Sequence, residues 1–273
     1  MVGSGVVDLI CIDVDGTLVG SSGQVPQRVW DAAARLRQLG KRLAVCTGRP
    51  AFGVVADYAR RLDPEGWHIF QNGASVVQPA TGESRSHPLA PPLVQALVAR
   101  ARATNRVLEL YGDDEYVVEG PGDRPERHAA ALGLPLRRGP LESLRVPIVR
   151  AEYLLPPGNL AAVLAEAYPD LCVAASTSPL MADTSFVSFT AGGVSKASAV
   201  RWLAAGYGVP LTRVMMVGDS HNDLEALRAV GVPVAMGNAD ETVRAAALHH
   251  VGHVDDGGLA EALSLALAGQ TAP

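Results

Sequence analysis

The fold is decided by the stretch Val6-Val7-Asp8-Leu9-Ile10-Cys11-Ile12-Asp13-Val14-Asp15-Gly16-Thr17-Leu18, close to the start of the chain. A run of apolar, β-forming residues ends here in two aspartates, one residue apart, and then a glycine. Apolar residues on both faces are typical of a strand buried inside a parallel sheet. In open α/β sheets the ligand site lies beyond the carboxyl ends of such strands. The stretch therefore predicts a strand buried within a parallel sheet, with a ligand site at its end.

Four further apolar runs repeat this pattern, and helical patterns separate them. The predicted strands are residues 43–46, 69–70, 213–217 and 233–236. The predicted helices are residues 26–39, 51–62, 196–205, 224–230, 240–248 and 259–267. Alternation of strand and helix favours a parallel sheet with right-handed crossovers. The first and last parts of the chain are therefore expected to form one α/β unit.

The sequence between these two parts has a different order of predicted helices and strands. Three helical patterns (93–103, 125–132 and 160–168) are mixed with strand patterns near 107–111, 116–118, 147–155, 171–175 and 180–190. The first two strand patterns are joined by a short turn and predict an antiparallel hairpin. We therefore predict a discontinuous core of residues 1–80 and 190–273, with an α+β domain of residues 81–189 inserted into it.

Composition limits the classes of function. The 273 residues are 48% hydrophobic and carry a formal net charge of −5, which disfavours a general nucleic-acid binder because that function needs a basic face. Three scattered cysteines do not make a disulfide framework. No leader pattern precedes the first strand, and no apolar segment approaches the ~20 residues that span a bilayer. We expect a cytoplasmic protein with no nucleic acid, no membrane and no obligate protein partner.

The predicted strand ends, with one helix N-terminus, carry a set of polar residues and one glycine: Asp13, Asp15, Thr47, Gly48, Arg49, Lys196, Asp219, Asn222 and Asp223. Four carboxylates at one edge of a sheet cannot all stay ionised unless a cation offsets their charge. An oxygen-only ligand set without histidine or cysteine favours Mg²⁺. A lysine and a threonine beside exposed backbone N–H groups suit phosphate oxygens. The combination indicates phosphoryl transfer.

These residues form four motifs that resemble those of the haloacid dehalogenase-like (HAD-like) superfamily. The motifs are Asp13-Val14-Asp15-Gly16-Thr17-Leu18, Thr47-Gly48-Arg49, Lys196 and Gly218-Asp219-Ser220-His221-Asn222-Asp223, in the family's order. The insertion lies between the second and third motifs, as in members with a C2-type cap. Three shorter segments (72–74, 235–239 and 255–259) resemble the Cof-type phosphatases with a C2B cap. The resemblance implies an α/β fold with a Rossmann-like parallel core and an inserted α+β cap.

The resemblance implies a phosphoric monoester hydrolase and gives the acidic residues separate roles. Asp13 would be the nucleophile that becomes an aspartyl-phosphate, and Asp15 would be the general acid and base. The family's dehalogenases lack an acid at the second position, so Asp15 favours phosphate chemistry. Mg²⁺ would be held by the carboxylates of Asp13 and Asp219 and the backbone carbonyl of Asp15, with Asp223 in support.

The remaining motif residues are expected to handle the phosphoryl group. The resemblance implies that Thr47, the amide of Gly48 and Lys196 bind it, and that Asn222 orients either Lys196 or the phosphate. Arg49 is expected to brace the motif loops, although contact with the substrate is an alternative. The inserted domain would close the site and exclude water. The expected substrate is a small phosphorylated metabolite, such as a sugar phosphate.

Other functions remain open at this point. A phosphomutase of the phosphomannomutase type would share the motifs and the cap, and a non-catalytic phosphometabolite-binding protein would share the pocket. The intact pair of Asp13 and Asp15 argues against the non-catalytic protein. A nucleotide-dependent dehydrogenase is disfavoured because the loop after the first strand has no Gly-x-Gly-x-x-Gly.

Several conspicuous residues are expected to play no part in the site. The histidines at 221, 249, 250 and 253 are given no role, and the acidic run 113–115 is expected to be a solvated hairpin turn. The arginines at 124, 127, 137 and 138 could meet an anionic substrate, but a solvated surface is the expected interpretation.

Overall fold

The computed structural model describes residues 6–268, which form three β-sheets with helices packed around them. The predicted core residues 1–5 and 269–273 lie outside this range. The described strands are β1 Leu9–Ile12, β2 Arg42–Val45, β3 His68–Phe70, β4 Ser75–Gln78, β5 Glu83–Ser86, β6 Val107–Tyr111, β7 Tyr116–Glu119, β8 Arg150–Leu155, β9 Leu171–Thr177, β10 Ser185–Ala191, β11 Val214–Gly218, β12 Val232–Ala235 and β13 His249–His250. The helices are α1 Gln27–Gln38, α2 Val54–Leu62, α3 Pro91–Ala103, α4 Arg124–Leu132, α5 Leu160–Leu164, α6 Lys196–Gly206, α7 Leu224–Ala229, α8 Glu241–Ala246 and α9 Gly258–Ala268.

The core sheet is parallel, with the strand order β13-β12-β11-β1-β2. Strand β1 lies between β11 and β2, and all four of its residues are fully buried. Ile10 and Ile12 pack among residues of α1, α2 and α9, whereas Leu9 and Cys11 pack among residues of α6, α7 and α8. Each fully buried Ile or Leu contributes about 1.5–3 kcal/mol. The predicted α/β class and the strand buried within a parallel sheet are confirmed.

Strand β3 extends the core sheet and starts a second, smaller sheet. It touches the end of β2 through one parallel bridge between Cys46 and Ile69, and it pairs in antiparallel fashion with β4, which pairs with β5. The hairpin of β4 and β5 was not expected from the sequence. Strand β5, Glu83-Ser84-Arg85-Ser86, has no alternation of apolar and polar residues, so the period-2 signal of a strand is absent.

The third sheet is antiparallel, with the order β7-β6-β8-β10-β9. We call the segment from α3 to β10 the cap. One face of the cap sheet packs on α3 and α5 through residues such as Leu97, Tyr153 and Phe189. Because side chains alternate along a strand, the opposite face carries Arg150 and Glu152. That face is covered in part by α4 and in part by the core. The predicted inserted α+β cap is confirmed as an architecture; the boundaries 81 and 189 stay predictions.

Several elements differ in length from the prediction, among them α5, α8 and β10. Helix α5 ends at Leu164, before the predicted end at 168, and Tyr168 instead packs its ring against Phe189, with centroids 4.7 Å apart. Helix α8 ends at Ala246, because the backbone becomes extended at Ala247 and leads into the edge strand β13. Strand β10 begins at Ser185 rather than near 180. Within residues 6–268 no helix is long and apolar enough to cross a membrane.

Candidate active site

Lys196 joins the first, third and fourth motifs in one buried ion cluster. Its Nζ donates to Asp13 Oδ1 at 2.6 Å and to Asp223 Oδ1 at 2.7 Å, and its side chain is 1% exposed. Lys196 is the first residue of α6, and a reciprocal capping box between Ser195 and Ser198 fixes the start of that helix. Burial acts to lower the pKa of Lys196, but the carboxylates of Asp13 and Asp223 outweigh it and raise the pKa. Lys196 is therefore a fixed positive charge in the site.

Three carboxylates lie close enough together to hold a metal ion. Those of Asp13, Asp219 and Asp223 each offer an oxygen, and these oxygens lie within 4.8 Å of one another. Burial raises the pKa of Asp13 well above its usual range, although Lys196 partly offsets the effect. Burial and the nearby Asp223 raise the pKa of Asp219 to about 7. A cation would relieve both effects, and an all-oxygen donor set suits a hard divalent ion.

Asp219 is oriented by two residues from other strand ends. Thr17 Oγ1 donates to Asp219 Oδ1 at 3.2 Å, and Asn238 Nδ2 donates to Asp219 Oδ2 at 3.1 Å. Asn238 Nδ2 also donates to the carbonyl of Gly16 at 2.8 Å. Gly16 has a φ of +82°, and a Cβ at this position would collide with the Asp219 carboxylate. Asn238 was not among the expected site residues; its position directly after β12 is the sequence signal that marks it.

The buried carboxylate of Asp223 binds backbone groups of the fourth motif. Its Oδ2 accepts from the backbone N–H groups of Asp219 and Ser220, both at 3.2 Å, while its Oδ1 faces Lys196. The side chain is fully buried. Both carboxylate oxygens therefore have partners within the protein, and these contacts suit a supporting position beside a metal ion.

Asp15 pairs with Arg49 of the second motif. Arg49 Nε donates to Asp15 Oδ2 at 2.8 Å and Arg49 Nη2 donates to Asp15 Oδ1 at 2.5 Å. The Asp15 side chain is 40% exposed, in contrast to Asp13, so it can reach a group that enters from outside. The backbone N–H of Arg49 donates to Thr47 Oγ1 at 3.1 Å. Arg49 therefore braces two motif loops.

Asn222 lies beside the second motif rather than against Lys196. Asn222 Nδ2 donates to Asn72 Oδ1 at 3.2 Å, and Ser220 Oγ donates to Asn222 Oδ1 at 2.7 Å. Asn72, whose φ is 55°, donates its backbone N–H to the carbonyl of Thr47 at 2.9 Å. A Cβ on Gly48 would come within 3.1 Å of Asn72 Oδ1. The polar groups of Asn72, Asn222, Thr47 and Gly48 thus form one continuous wall.

The residues given no role are mostly placed as expected. His249 and His250 form the exposed edge strand, and His221 pairs with Asp240 at 3.1 Å on the surface. The four cap arginines each lie near a carboxylate of the cap, from Asp183, Asp123, Glu115 or Glu126.

The expectation of a solvated turn at 113–115 is wrong for Asp113. Its carboxylate accepts hydrogen bonds from three serine hydroxyls of the β4–β5 hairpin, Ser75 at 2.5 Å, Ser86 at 2.7 Å and Ser84 at 3.0 Å. Beside it lies a cleft of about 600 Å³ between the core and the cap, and residues that line it include Phe52. Neither Asp13 nor Asp15 lines that cleft, so it is separate from the acidic cluster.

The comparison with known proteins identifies the family. The family model described as haloacid dehalogenase-like hydrolase matches residues 10–263. The chain is a haloacid dehalogenase-like hydrolase. Phosphatase YwpJ of Bacillus subtilis is 28% identical over 273 residues, which cover 88% of this chain and 92% of the relative.

Two solved structures agree with this assignment. The phosphatase BT1666 from Bacteroides thetaiotaomicron superposes with a TM-score of 0.82 at 25% identity, over 97% of both chains. The subclass IIB sugar phosphatase BT4131 superposes with a TM-score of 0.81 at 21% identity, over 94% of this chain and 98% of its own. The second likeness is one of fold. The predicted membership among HAD-like phosphatases of the Cof type, with a C2B cap, is confirmed, and with it the class of phosphoric monoester hydrolase.

Proposed function

We propose that this HAD-like hydrolase is a Mg²⁺-dependent phosphatase that hydrolyses a small phosphorylated metabolite through an aspartyl-phosphate on Asp13. The observation that carries the proposal is the buried contact of Asp13 with Lys196, inside a cluster of carboxylates and next to the exposed Asp15. A carboxylate nucleophile needs positive charge around it to approach a phosphate dianion. Within the cluster, Lys196 supplies one fixed positive charge, and the carboxylates offer a site for a metal ion as the second.

The residues present fit a divalent cation. The fit rests on the oxygen-only donors, on the raised pKa values of Asp13 and Asp219, and on the close approach of Gly16 to Asp219. Asp13, Asp219 and the backbone carbonyl of Asp15 would hold Mg²⁺, with Asp223 in support. The ion would neutralise charge on the phosphoryl oxygens.

The protein residues divide the two chemical steps between them. In the first step a carboxylate oxygen of Asp13 forms a bond to phosphorus, the bond to the leaving oxygen breaks, and Asp15 gives that oxygen a proton. In the second step Asp15 takes a proton from water, which attacks phosphorus and releases Asp13 and phosphate. Thr47 Oγ1, the Gly48 N–H and Lys196 Nζ would hold the phosphoryl oxygens through both steps. The cap would exclude bulk water from the intermediate.

The test measures phosphate release from p-nitrophenyl phosphate and from a panel of small phosphomonoesters. Wild type is expected to release phosphate, EDTA to abolish the release and added Mg²⁺ to restore it. Asp13→Asn is expected to be inactive, whereas the matched exposed variant Asp57→Asn keeps wild-type turnover. A folded wild type that releases no phosphate from any compound would contradict the proposal.

The same panel separates hydrolysis from phosphoryl transfer. ³¹P NMR of the products distinguishes free phosphate from phosphate moved to another oxygen of a sugar. A phosphomutase would give the second product and would need a bisphosphorylated activator. Free phosphate as the main product is the expected result. The cytoplasmic location stays a prediction from the sequence.

A further inference from the structure

Arg150 reaches from the cap to the second motif of the core. It is the first residue of β8, and its Nη1 donates to the backbone carbonyl of Gly48 at 2.5 Å. The two residues are 102 positions apart in the sequence. This contact places a cap guanidinium against the loop whose Gly48 amide is proposed to bind the phosphoryl group.

The cap holds this guanidinium in one orientation. Arg150 lies opposite Tyr111 in the cap sheet, and its Cζ is 4.1 Å from the centroid of that ring. Nη1 is also 3.4 Å from Glu152 Oε1, which accepts a hydrogen bond from Ser188 Oγ at 2.6 Å. The side chains of Arg150 and Glu152 are each 4% exposed. Aromatic stacking and a buried ion pair both restrict an arginine that would otherwise move freely.

Stability does not account for this arrangement. Glu109 and Glu152 lie directly opposite each other on neighbouring strands, where like charges are unfavourable. His128 Nδ1 lies 2.9 Å from Glu109 Oε2, yet Glu109 Oε1 and Arg150 Nε are buried without a hydrogen-bond partner among the described residues. Replacement of a buried ion pair by apolar residues of similar volume is often neutral or stabilising. The contact of Arg150 with the Gly48 carbonyl therefore explains a buried arginine at this position better than stability does.

The contact acts on the peptide between Gly48 and Arg49. Arg150 binds the carbonyl of this peptide, and the N–H of the same peptide donates to Thr47 Oγ1 at 3.1 Å. The side chain of Arg49 then holds Asp15. One cap residue is therefore connected, through a single peptide unit, to both the phosphate-binding loop and the proposed acid and base.

We propose that Arg150 is a positioning residue by which the docked cap fixes the phosphate-binding loop at Gly48 and, through Arg49, the carboxylate of Asp15. The inference rests on the proposed function, because the loop matters only if it binds a phosphoryl group. The inference gives a cap strand a role in catalysis that is separate from substrate specificity. The docked cap then both excludes water and completes the site.

The test compares Arg150→Met with Arg106→Met. Arg106 is the matched control because it also lies over a tyrosine ring of the cap, Tyr153, and pairs with a cap glutamate, Glu166. Arg150→Met removes a hydrogen bond from a charged group to the Gly48 carbonyl. Because such a bond contributes substantial free energy, kcat/KM for p-nitrophenyl phosphate should fall about tenfold or more. Arg106→Met should stay within about twofold of wild type, because the contacts of Arg106 with Tyr153 and Glu166 lie within the cap.

Binding of inorganic phosphate is the second readout, because a purely structural role would not change it. Calorimetry with Mg²⁺ present is expected to show a Kd for phosphate about tenfold higher in Arg150→Met than in wild type, from the same lost hydrogen bond. Millimolar methylguanidinium should restore part of the lost turnover in Arg150→Ala and should leave the turnover of Arg106→Ala unchanged. If Arg150→Met does not fold, Arg150→Lys keeps the buried charge and should show the same direction of change, because an ammonium cannot replace the planar guanidinium.

The outcomes separate the two proposals. A wild type that binds phosphate but releases none from any ester contradicts the proposed function, and the Kd comparison still tests Arg150. Unchanged kcat/KM and unchanged Kd in folded Arg150→Met contradict the inference alone. Equal losses in Arg150→Met and Arg106→Met also contradict it, since they would show only a general weakening of the cap.

Discussion

The guanidinium of Arg49 and the carboxylate of Asp15 form a two-point contact, with 2.8 Å from Nε to Oδ2 and 2.5 Å from Nη2 to Oδ1. Such a fork fixes the plane of the carboxylate as well as its position. Asp15 is therefore presented to the substrate in one orientation, although its side chain is 40% exposed.

Arg49→Lys should lower turnover without abolishing it, because lysine cannot supply the two parallel N–H donors. We expect kcat to fall about tenfold for an alkyl phosphate such as glycerol phosphate. The fall should be smaller for p-nitrophenyl phosphate, whose leaving group needs less help from a proton. Arg60→Lys is the control, since Arg60 forms an exposed ion pair with Asp57. Equal losses on both substrates would contradict the link between Arg49 and proton transfer.

Gly16→Ala should impair the proposed metal site through Asp219. A Cβ at Gly16 would collide with the Asp219 carboxylate, whereas a Cβ at Gly23 would meet nothing within 4 Å. Both glycines have positive φ, +82° and +68°, so the backbone strain of alanine is similar at the two positions, about 1–2 kcal/mol. The Mg²⁺ concentration for half-maximal activity should rise in Gly16→Ala and stay unchanged in Gly23→Ala. The same Mg²⁺ dependence in both variants would show that Gly16 does not shape the site.

Lys196→Met should destabilise the protein as well as inactivate it. The change leaves Asp13 and Asp223 buried without their shared cation, and breaking such a pair costs about 3–5 kcal/mol. Urea unfolding in EDTA measures the loss. The double variant Lys196→Met/Asp223→Asn should regain part of the stability because one buried charge is removed. A single variant as stable as wild type would mean that the cluster is not held by Lys196.

Stability should fall in mild acid because of His68. Its Nδ1 accepts from the N–H of Val45 at 3.0 Å, and burial lowers its pKa from 6.5 to about 4. The unfolded state then binds more protons than the folded state between pH 6.5 and pH 4. The contribution of His68 is thus fully present above pH 6.5 and is lost as the pH falls through this window, by up to about 3 kcal/mol.

The difference between wild type and His68→Gln isolates this contribution. Urea unfolding across the window should show a steeper loss of stability in wild type than in His68→Gln. The exposed variant His249→Gln is the control and should follow wild type. Parallel curves for wild type and His68→Gln would show that His68 is not the group that titrates.

The elements that the sequence predicted are those with a local signal. Strand β1 was predicted because its apolar run is continuous, and the position of Asp13 followed from the rule that parallel strands end at one edge. The capped start of α6 brought Lys196 to the same edge. These features need only a period, a cap residue and a sheet topology.

The contacts that the sequence did not predict join residues far apart in the chain and carry no local pattern. Arg150 touches Gly48 across 102 positions, and Asn222 touches Asn72 across 150. Asp113 looked like a solvated turn because nothing nearby in sequence reveals the three serines that it binds. The contacts of Arg150 and Asp113 depend on how the cap docks on the core, and docking is set by surfaces rather than by periodicity. The contact of Asn222 with Asn72 joins two loops of the core.

The proposed mechanism is tested most directly by finding the residue that is phosphorylated. Asp15→Asn is incubated with Mg²⁺ and p-nitrophenyl phosphate, quenched in acid, and digested for mass spectrometry. Loss of the base should slow hydrolysis of the intermediate more than its formation with this good leaving group. We predict one added phosphoryl group on the peptide that contains Asp13, and none in the double variant Asp13→Asn/Asp15→Asn. A phosphoryl group on another residue, or phosphate release by folded Asp13→Asn at the wild-type rate, would contradict it.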